Sequence, residues 1–179
     1  MPAPLLLALL CLPSSADEPC RSGPQAGERC GPYSFLVATG TFRGQPHCFV
    51  CDQADKPAVI VFARQPSDEL GQFLVELDKA LPAHKAAGLA AWVTFLSAGD
   101  PALEPRVAAW GRQLGLRAVP LGVFDDPDGP PSYRLTRAAA VTVLWVNKGK
   151  VVANHAFKEG ELTGEKAKEL LGAVTGLGK

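Results

Sequence analysis

Lys56-Pro57-Ala58-Val59-Ile60-Val61-Phe62-Ala63, followed by Arg64-Gln65-Pro66-Ser67-Asp68, is the stretch that decides the fold. Residues 58–63 are continuously apolar and rich in β-branched side chains, the pattern of a central parallel strand covered on both faces. Pro66 and Ser67 then punctuate the chain. Ser67 reads as an N-cap, with Asp68 and Glu69 in the first helical turn. Leu70, Phe73, Leu74, Leu77 and Leu81 recur at helical spacing, which predicts an amphipathic helix over 68–81 that Pro82 closes.

Downstream, residues 89–96 form a second buried strand and residues 101–114 a second helix. The buried stripe of that helix is Leu103, Val107, Trp110 and Leu114, and Gly115 stops it. Residues 119–124 make a third strand, ended by the turn cluster Asp125-Asp126-Pro127-Asp128-Gly129-Pro130-Pro131. Residues 141–146 and 151–157 flank Asn147-Lys148-Gly149-Lys150 as a hairpin, with Val151, Ala153, His155 and Phe157 on one face. Residues 162–174 close the chain as an amphipathic helix carrying Leu170, Leu171 and Val174. Upstream, residues 33–37 read as a short strand, 40–44 as a turn and 17–32 as an irregular lead-in rich in Gly, Pro and Ser. Counting the Cys48 segment as an extended element between the first two strands, the order is β-β-β-α-β-α-β-β-β-α.

The 179 residues suffice for one domain with a real core, so a cysteine bridge is optional for folding. Eighteen basic and eighteen acidic side chains cancel, and no stretch concentrates Lys or Arg. Nothing supplies the phosphate-neutralising patch of a nucleic-acid binder, so no nucleic-acid partner is expected. The apolar run Pro4-Leu5-Leu6-Leu7-Ala8-Leu9-Leu10-Cys11-Leu12, followed by Pro13-Ser14-Ser15-Ala16, reads as a secretory signal peptide over 1–16, cleaved after Ala16. It is too short to span a bilayer, and Cys11 and Cys20 lack the small residues that precede a lipidated cysteine. The expected product is exported, periplasmic or extracellular, without a stable membrane anchor, its domain covering 33–176.

A parallel βαβ start, a second crossover, an antiparallel hairpin and a closing helix make an α/β protein with the layout of the thioredoxin fold: a central mixed sheet, flanking helices and an N-terminal β extension. The 56–63 stretch resembles the strand before the active-site turn in the alkyl hydroperoxide reductase and thiol-specific antioxidant group, the redoxins. Val119-Pro120-Leu121-Gly122-Val123-Phe124-Asp125-Asp126-Pro127-Asp128-Gly129, then Tyr133, then residues 141–152, is similar to that group's later strand, turn and hairpin. The similarity covers about residues 26–175. It implies a nucleophilic cysteine at the start of the first long helix and a cis-proline before the hairpin. This chain has Arg64-Gln65-Pro66-Ser67-Asp68 at the first place and Val141 before Thr142 at the second. Ser67 has no evident base beside it and reads as a cap instead of a nucleophile.

The remaining chemistry lies in Pro46-His47-Cys48-Phe49-Val50-Cys51. C-x-x-C spacing lets the two sulfurs meet, and a protonated His47 would favour a thiolate. Asp52 and Asp55 act the other way, and the segment shows no helix start. Cys48 and Cys51 are therefore the candidate catalytic residues of a thiol-disulfide oxidoreductase with a protein thiol or disulfide partner. The alternative is a catalytically inactive binding or structural module with a structural disulfide. A third reading, a thiolate metal site using Cys20 and Cys30 or His47, has poor ligand spacing. No metal site and no cofactor is assigned. After cleavage four cysteines remain, paired most simply Cys48–Cys51 and Cys20–Cys30, with three pairings open. His84 is expected in solvent, His155 at the core edge, Tyr133 over the sheet end, and Asp125, Asp126 and Asp128 in a turn.

Overall fold

The computed structural model of the protein describes residues 19–176, with side-chain detail through Gly172. The proposed signal segment and Cys11 lie outside the described residues, as does the side chain of Val174. Among the described residues there are seven strands, β1 (Phe35–Val37), β2 (Pro46–His47), β3 (Ala58–Ala63), β4 (Ala90–Leu96), β5 (Leu121–Phe124), β6 (Val141–Asn147) and β7 (Lys150–Phe157). Four α-helices accompany them, α1 (Phe49–Gln53), α2 (Asp68–Ala80), α3 (Leu103–Leu114) and α4 (Gly164–Gly176).

The strands form one sheet in the order β2-β1-β5-β4-β3-β6-β7. β3 pairs in parallel with β4 and antiparallel with β6, and all six of its residues are buried. That central position is what a six-residue apolar run requires, since neither of its faces can be left to water. β4 also pairs in parallel with β5. The crossovers β3-α2-β4 and β4-α3-β5 step in the same direction, so their common handedness puts α2 and α3 on one face. There Leu70, Phe73, Leu74 and Leu77 of α2 meet Val107 and Ala108 of α3 and Leu170 of α4 over Val59, Val61 and Val93.

The other face carries no long helix among the described residues. Tyr33, Phe35, Ile60, Phe62, Trp92, Tyr133 and Leu144 form its core. Tyr133 is wholly buried, packs edge-on against Tyr33 and Phe62, and donates its hydroxyl to the Gly31 carbonyl. Trp92 Nε1 donates to the Tyr33 hydroxyl, which also bonds Thr94 Oγ1, so these buried polar atoms are satisfied. The lead-in covers this face as an ordered strap. Ser22 Oγ accepts from Thr142 Oγ1, Asn154 Nδ2 donates to the Ser22 and Pro24 carbonyls, and the Arg29 backbone pairs antiparallel with that of Lys150 as a single β-bridge.

Several boundaries differ from the expected ones. A five-residue helix, α1, stands where sequence showed no helix start. α2 ends at Ala80 and passes into a 3-10 helix over Leu81–Ala87, because Pro82 lacks only an N–H that a first turn does not use; Gly88, at φ 72°, stops it. His84 lies in this 3-10 helix and is half-buried instead of fully in solvent. α3 starts at Leu103 because Asp100 and Ser97 hold the preceding turn, and its Trp110 is only half-buried. The alternation expected through 151–157 breaks at a bulge. Val146 pairs with Val151 and Trp145 with Ala153, leaving Val152 as the extra, exposed residue. His155 lies on this outer strand and is exposed.

Candidate redox site

The N-terminal extension docks because β5 carries Gly122. A Cβ at that position would collide with the Leu36 carbonyl and the Phe35 ring, so only glycine lets β1 lie against β5. β2 folds back on β1, pairing His47 with Phe35, and becomes the edge of the sheet. The chain then turns directly into α1. Phe49 is its anchor, stacked on Trp92 with ring centroids 5.6 Å apart and tilted against Phe35 at 5.6 Å. Ala54, at φ 47°, breaks the helix, and Gln53 Nε2 donates to the Pro57 and Gly88 carbonyls at the N-terminal ends of β3 and β4.

Cys48 is the N-cap of this short helix and is disulfide-bonded to Cys51, with 5.4 Å between their Cα atoms. The Cys51 backbone N–H donates to Cys48 Sγ at 3.2 Å. Cys51 is exposed and Cys48 half-buried. The residues just outside the pair meet as well: His47 Nε2 lies 2.6 Å from Asp52 Oδ2. A carboxylate has no proton to give, so the ring nitrogen donates. The imidazole is held flat against Phe42, centroids 3.6 Å apart and planes 11° apart, with the edge of Phe49 at 4.7 Å. His47 is thus engaged with Asp52 and two aromatic rings. That side-chain pairing is what residue spacing alone did not reveal, although His and Asp flanking a C-x-x-C loop was visible as a pattern.

The turn after β3, where the sequence departs from the redoxin pattern, is separate. Four strand spacings of about 4.8 Å, roughly 19 Å, divide β2 from β3. The C-terminal end of α1 is fastened to the opposite end of β3 from Ser67. Ser67 Oγ accepts from the Leu70 N–H as the α2 cap. Arg64 fills the turn. Its Nε donates to the Ala139 carbonyl at 2.9 Å, Nη1 to Pro127 at 2.8 Å and Nη2 to Thr136 at 3.0 Å. Burial and the neighbouring Arg137 push its basicity down. Above it lies a groove of about 430 Å³ between Gln65–Ser67, Arg137–Val141 and Lys158–Leu162. The peptide bonds of the described residues are all trans, that before Thr142 included.

Cys20 and Cys30 are free thiols, which corrects the simplest pairing. Cys30 bonds its N–H to Gly149 at the β6–β7 turn, while Cys20 lies in the field of Glu161 and Lys158 beyond the far end of β7. The length of the hairpin separates them, far beyond the roughly 7 Å Cα limit of a disulfide. The same separation keeps them from serving together as the second ligand pair of the third reading, and among the described residues no three His, Cys, Asp or Glu side chains cluster for a metal. Burial pushes the Cys30 thiol up to about 11. Asp126 Oδ1 accepts from the Asp128 N–H, and Asp128 pairs with Arg137, so this acidic cluster is a hydrogen-bonded turn.

No protein-family model and no curated protein matches the chain. Solved structures do. A candidate protein disulfide isomerase from Bacteroides thetaiotaomicron superposes with a TM-score of 0.61 at 16% identity, over 84% of this chain and 91% of that one. A candidate thiol:disulfide interchange protein DsbE from Chlorobium tepidum gives 0.59 at 14%, over 89% and 99%. Peroxiredoxin Q from Xanthomonas campestris gives 0.56 at 15%, over 82% and 92%. The chain therefore has the thioredoxin fold, in agreement with the sequence reading.

Proposed function

We propose that the protein is a thiol-disulfide oxidoreductase acting through Cys48 and Cys51. One observation carries the reading: the pair is joined at the exposed edge of the sheet, with Cys51 open to solvent and Cys48 Sγ already accepting a backbone N–H. A substrate thiolate attacks Cys51 Sγ; the S–S bond breaks, and its electron pair leaves on Cys48. The Cys51 N–H favours that thiolate, because a hydrogen bond to the charged form stabilises it. A second substrate thiolate then attacks the mixed disulfide at the substrate sulfur, releasing Cys51 as thiolate and an oxidised substrate. Two electrons pass from two substrate thiols to the pair, and a disulfide partner of the compartment takes them up. The reverse sequence reduces a substrate disulfide.

Export and the division into a signal segment (1–16), a lead-in (17–32) and a domain (33–176) belong to the same proposal. The apolar N-terminal run and the need for an oxidising compartment support them. No helix among the described residues is long and apolar enough to cross a membrane.

The second reading, a non-catalytic module, is favoured by Arg64, which occupies the usual site and ties its loop together. Redox titration separates the two. A Cys48–Cys51 potential above about −300 mV, with turnover of a disulfide substrate, supports exchange; a potential below that value without turnover refutes it. Cys48→Ser should accumulate a mixed disulfide with glutathione on Cys51, and Cys51→Ser should accumulate far less.

A further inference from the structure

The residues that flank the C-x-x-C loop touch each other, and the contact is built on a fixed base. His47 precedes Cys48 and Asp52 follows Cys51, so their 2.6 Å hydrogen bond closes a ring around the disulfide from outside. The histidine side chain is only 18% exposed and is held between Phe42 and Phe49, while Phe49 is stacked on buried Trp92. Asp52 is 59% exposed at its side chain and is the free end of the contact.

We propose that the His47–Asp52 bond is a clamp that sets the redox poise of the Cys48–Cys51 pair, which makes His47 and Asp52 positioning residues for the exchange reaction proposed above. Forming the disulfide from the dithiol requires the two chain ends to be brought together, and that closure has an entropic cost. A bond between positions 47 and 52 keeps the same ends together after the sulfurs separate. The two thiols then meet at a higher effective concentration, and the oxidised form is favoured. The coupling is reciprocal: whatever the clamp adds to disulfide formation, the disulfide adds to the clamp. The base decides which residue moves when the bond opens. His47 stays with its aromatic neighbours, and Asp52 swings outward with Cys51.

The test uses the full chain equilibrated with reduced and oxidised glutathione, reading the equilibrium constant for Cys48–Cys51 formation. His47→Phe keeps a ring against Phe42 but has no nitrogen, and Asp52→Ala removes the acceptor. Each should lower the constant about tenfold, as loss of one hydrogen bond to a charged group predicts, which raises the potential by about 30 mV for a two-electron couple. The double variant should fall no further, and Asp52→Asn, which keeps an acceptor oxygen, should stay within about threefold of the parent. The clamp is overturned if both single variants stay within twofold of the parent, or if the double variant shows the product of their effects. Trp fluorescence and the unfolding midpoint of each oxidised variant establish that the fold is intact. Turnover of a disulfide substrate by the parent chain is a separate readout, so a pair that never turns over defeats the proposed function while the glutathione constant still judges the clamp.

Discussion

Removing the Cys48–Cys51 bond, by reduction or by the Cys48→Ser, Cys51→Ser double variant, should leave a folded protein. The bond closes a loop of only four residues, since the cysteines are three apart in sequence. Chain-entropy cross-linking for so short a loop gives a stabilisation of about 1.9 kcal/mol at 25 °C, near the bottom of the disulfide range. Neighbouring contacts do not depend on the sulfurs: Phe49 on Trp92, Gln53 on Pro57 and Gly88, and the Asp55 carbonyl receiving the Lys148 N–H all remain. For a chain of this length the expected fall in melting temperature is about 4–8 °C. A thermodynamic cycle links this to chemistry. If the oxidised form is about 1.9 kcal/mol more stable, the pair is more reducing by about 40 mV in the folded than in the unfolded chain. Urea unfolding of oxidised and reduced protein, followed by far-UV circular dichroism, supplies the first quantity; glutathione titration in water and in urea supplies the second. A reduced protein that is unfolded at 25 °C, or a loss above about 4 kcal/mol, would refute the reasoning and make the bond a structural staple.

Arg64→Met should destabilise the protein by about 2–4 kcal/mol, because it strands the carbonyls of Ala139 and Pro127 and leaves that of Thr136 with the Ala139 N–H alone. Arg64→Lys should recover less than half of that loss, since one ammonium cannot reproduce a planar three-way fork; equal midpoints for the two variants and the parent in urea would contradict this role. The Cys30 thiol, pushed up to about 11 by burial, holds its proton more tightly in the folded chain than in the unfolded one. Its contribution to stability is therefore complete below about pH 9 and lost as pH rises through about 11. The stability difference between the parent and Cys30→Ala should shrink over that window, and a difference independent of pH would show the thiol to be solvated.

β3 and α2 were legible in the sequence because their signals are local. An unbroken apolar run needs cover on both faces, and Ser67 before an acidic first turn is a cap whatever the helix packs against. The thioredoxin layout followed from order alone, and so did the absence of a thiol at residues 64–68. Element ends were less legible: Pro82 was compatible with either a stop or a new 3-10 turn, and the bulge at Val152 depends on what β6 presents opposite it.

What the sequence by itself determined was the set of chemical groups and their chain distances: a C-x-x-C pair near enough to close, a helix start with no sulfur, and two further cysteines of undefined pairing. Tertiary structure decided which of these groups meet. It set Cys20 and Cys30 at opposite ends of a hairpin, made Cys48 the cap of a five-residue helix whose short apolar pattern is below the reach of periodicity, and brought His47 onto Asp52. The physical reason is that α1 has too few residues to hold itself as a helix. It exists because Phe49 finds Trp92, Gln53 finds Gly88 as well as nearby Pro57, and Gly122 lets the β1–β2 extension dock; Trp92, Gly88 and Gly122 are all remote in sequence.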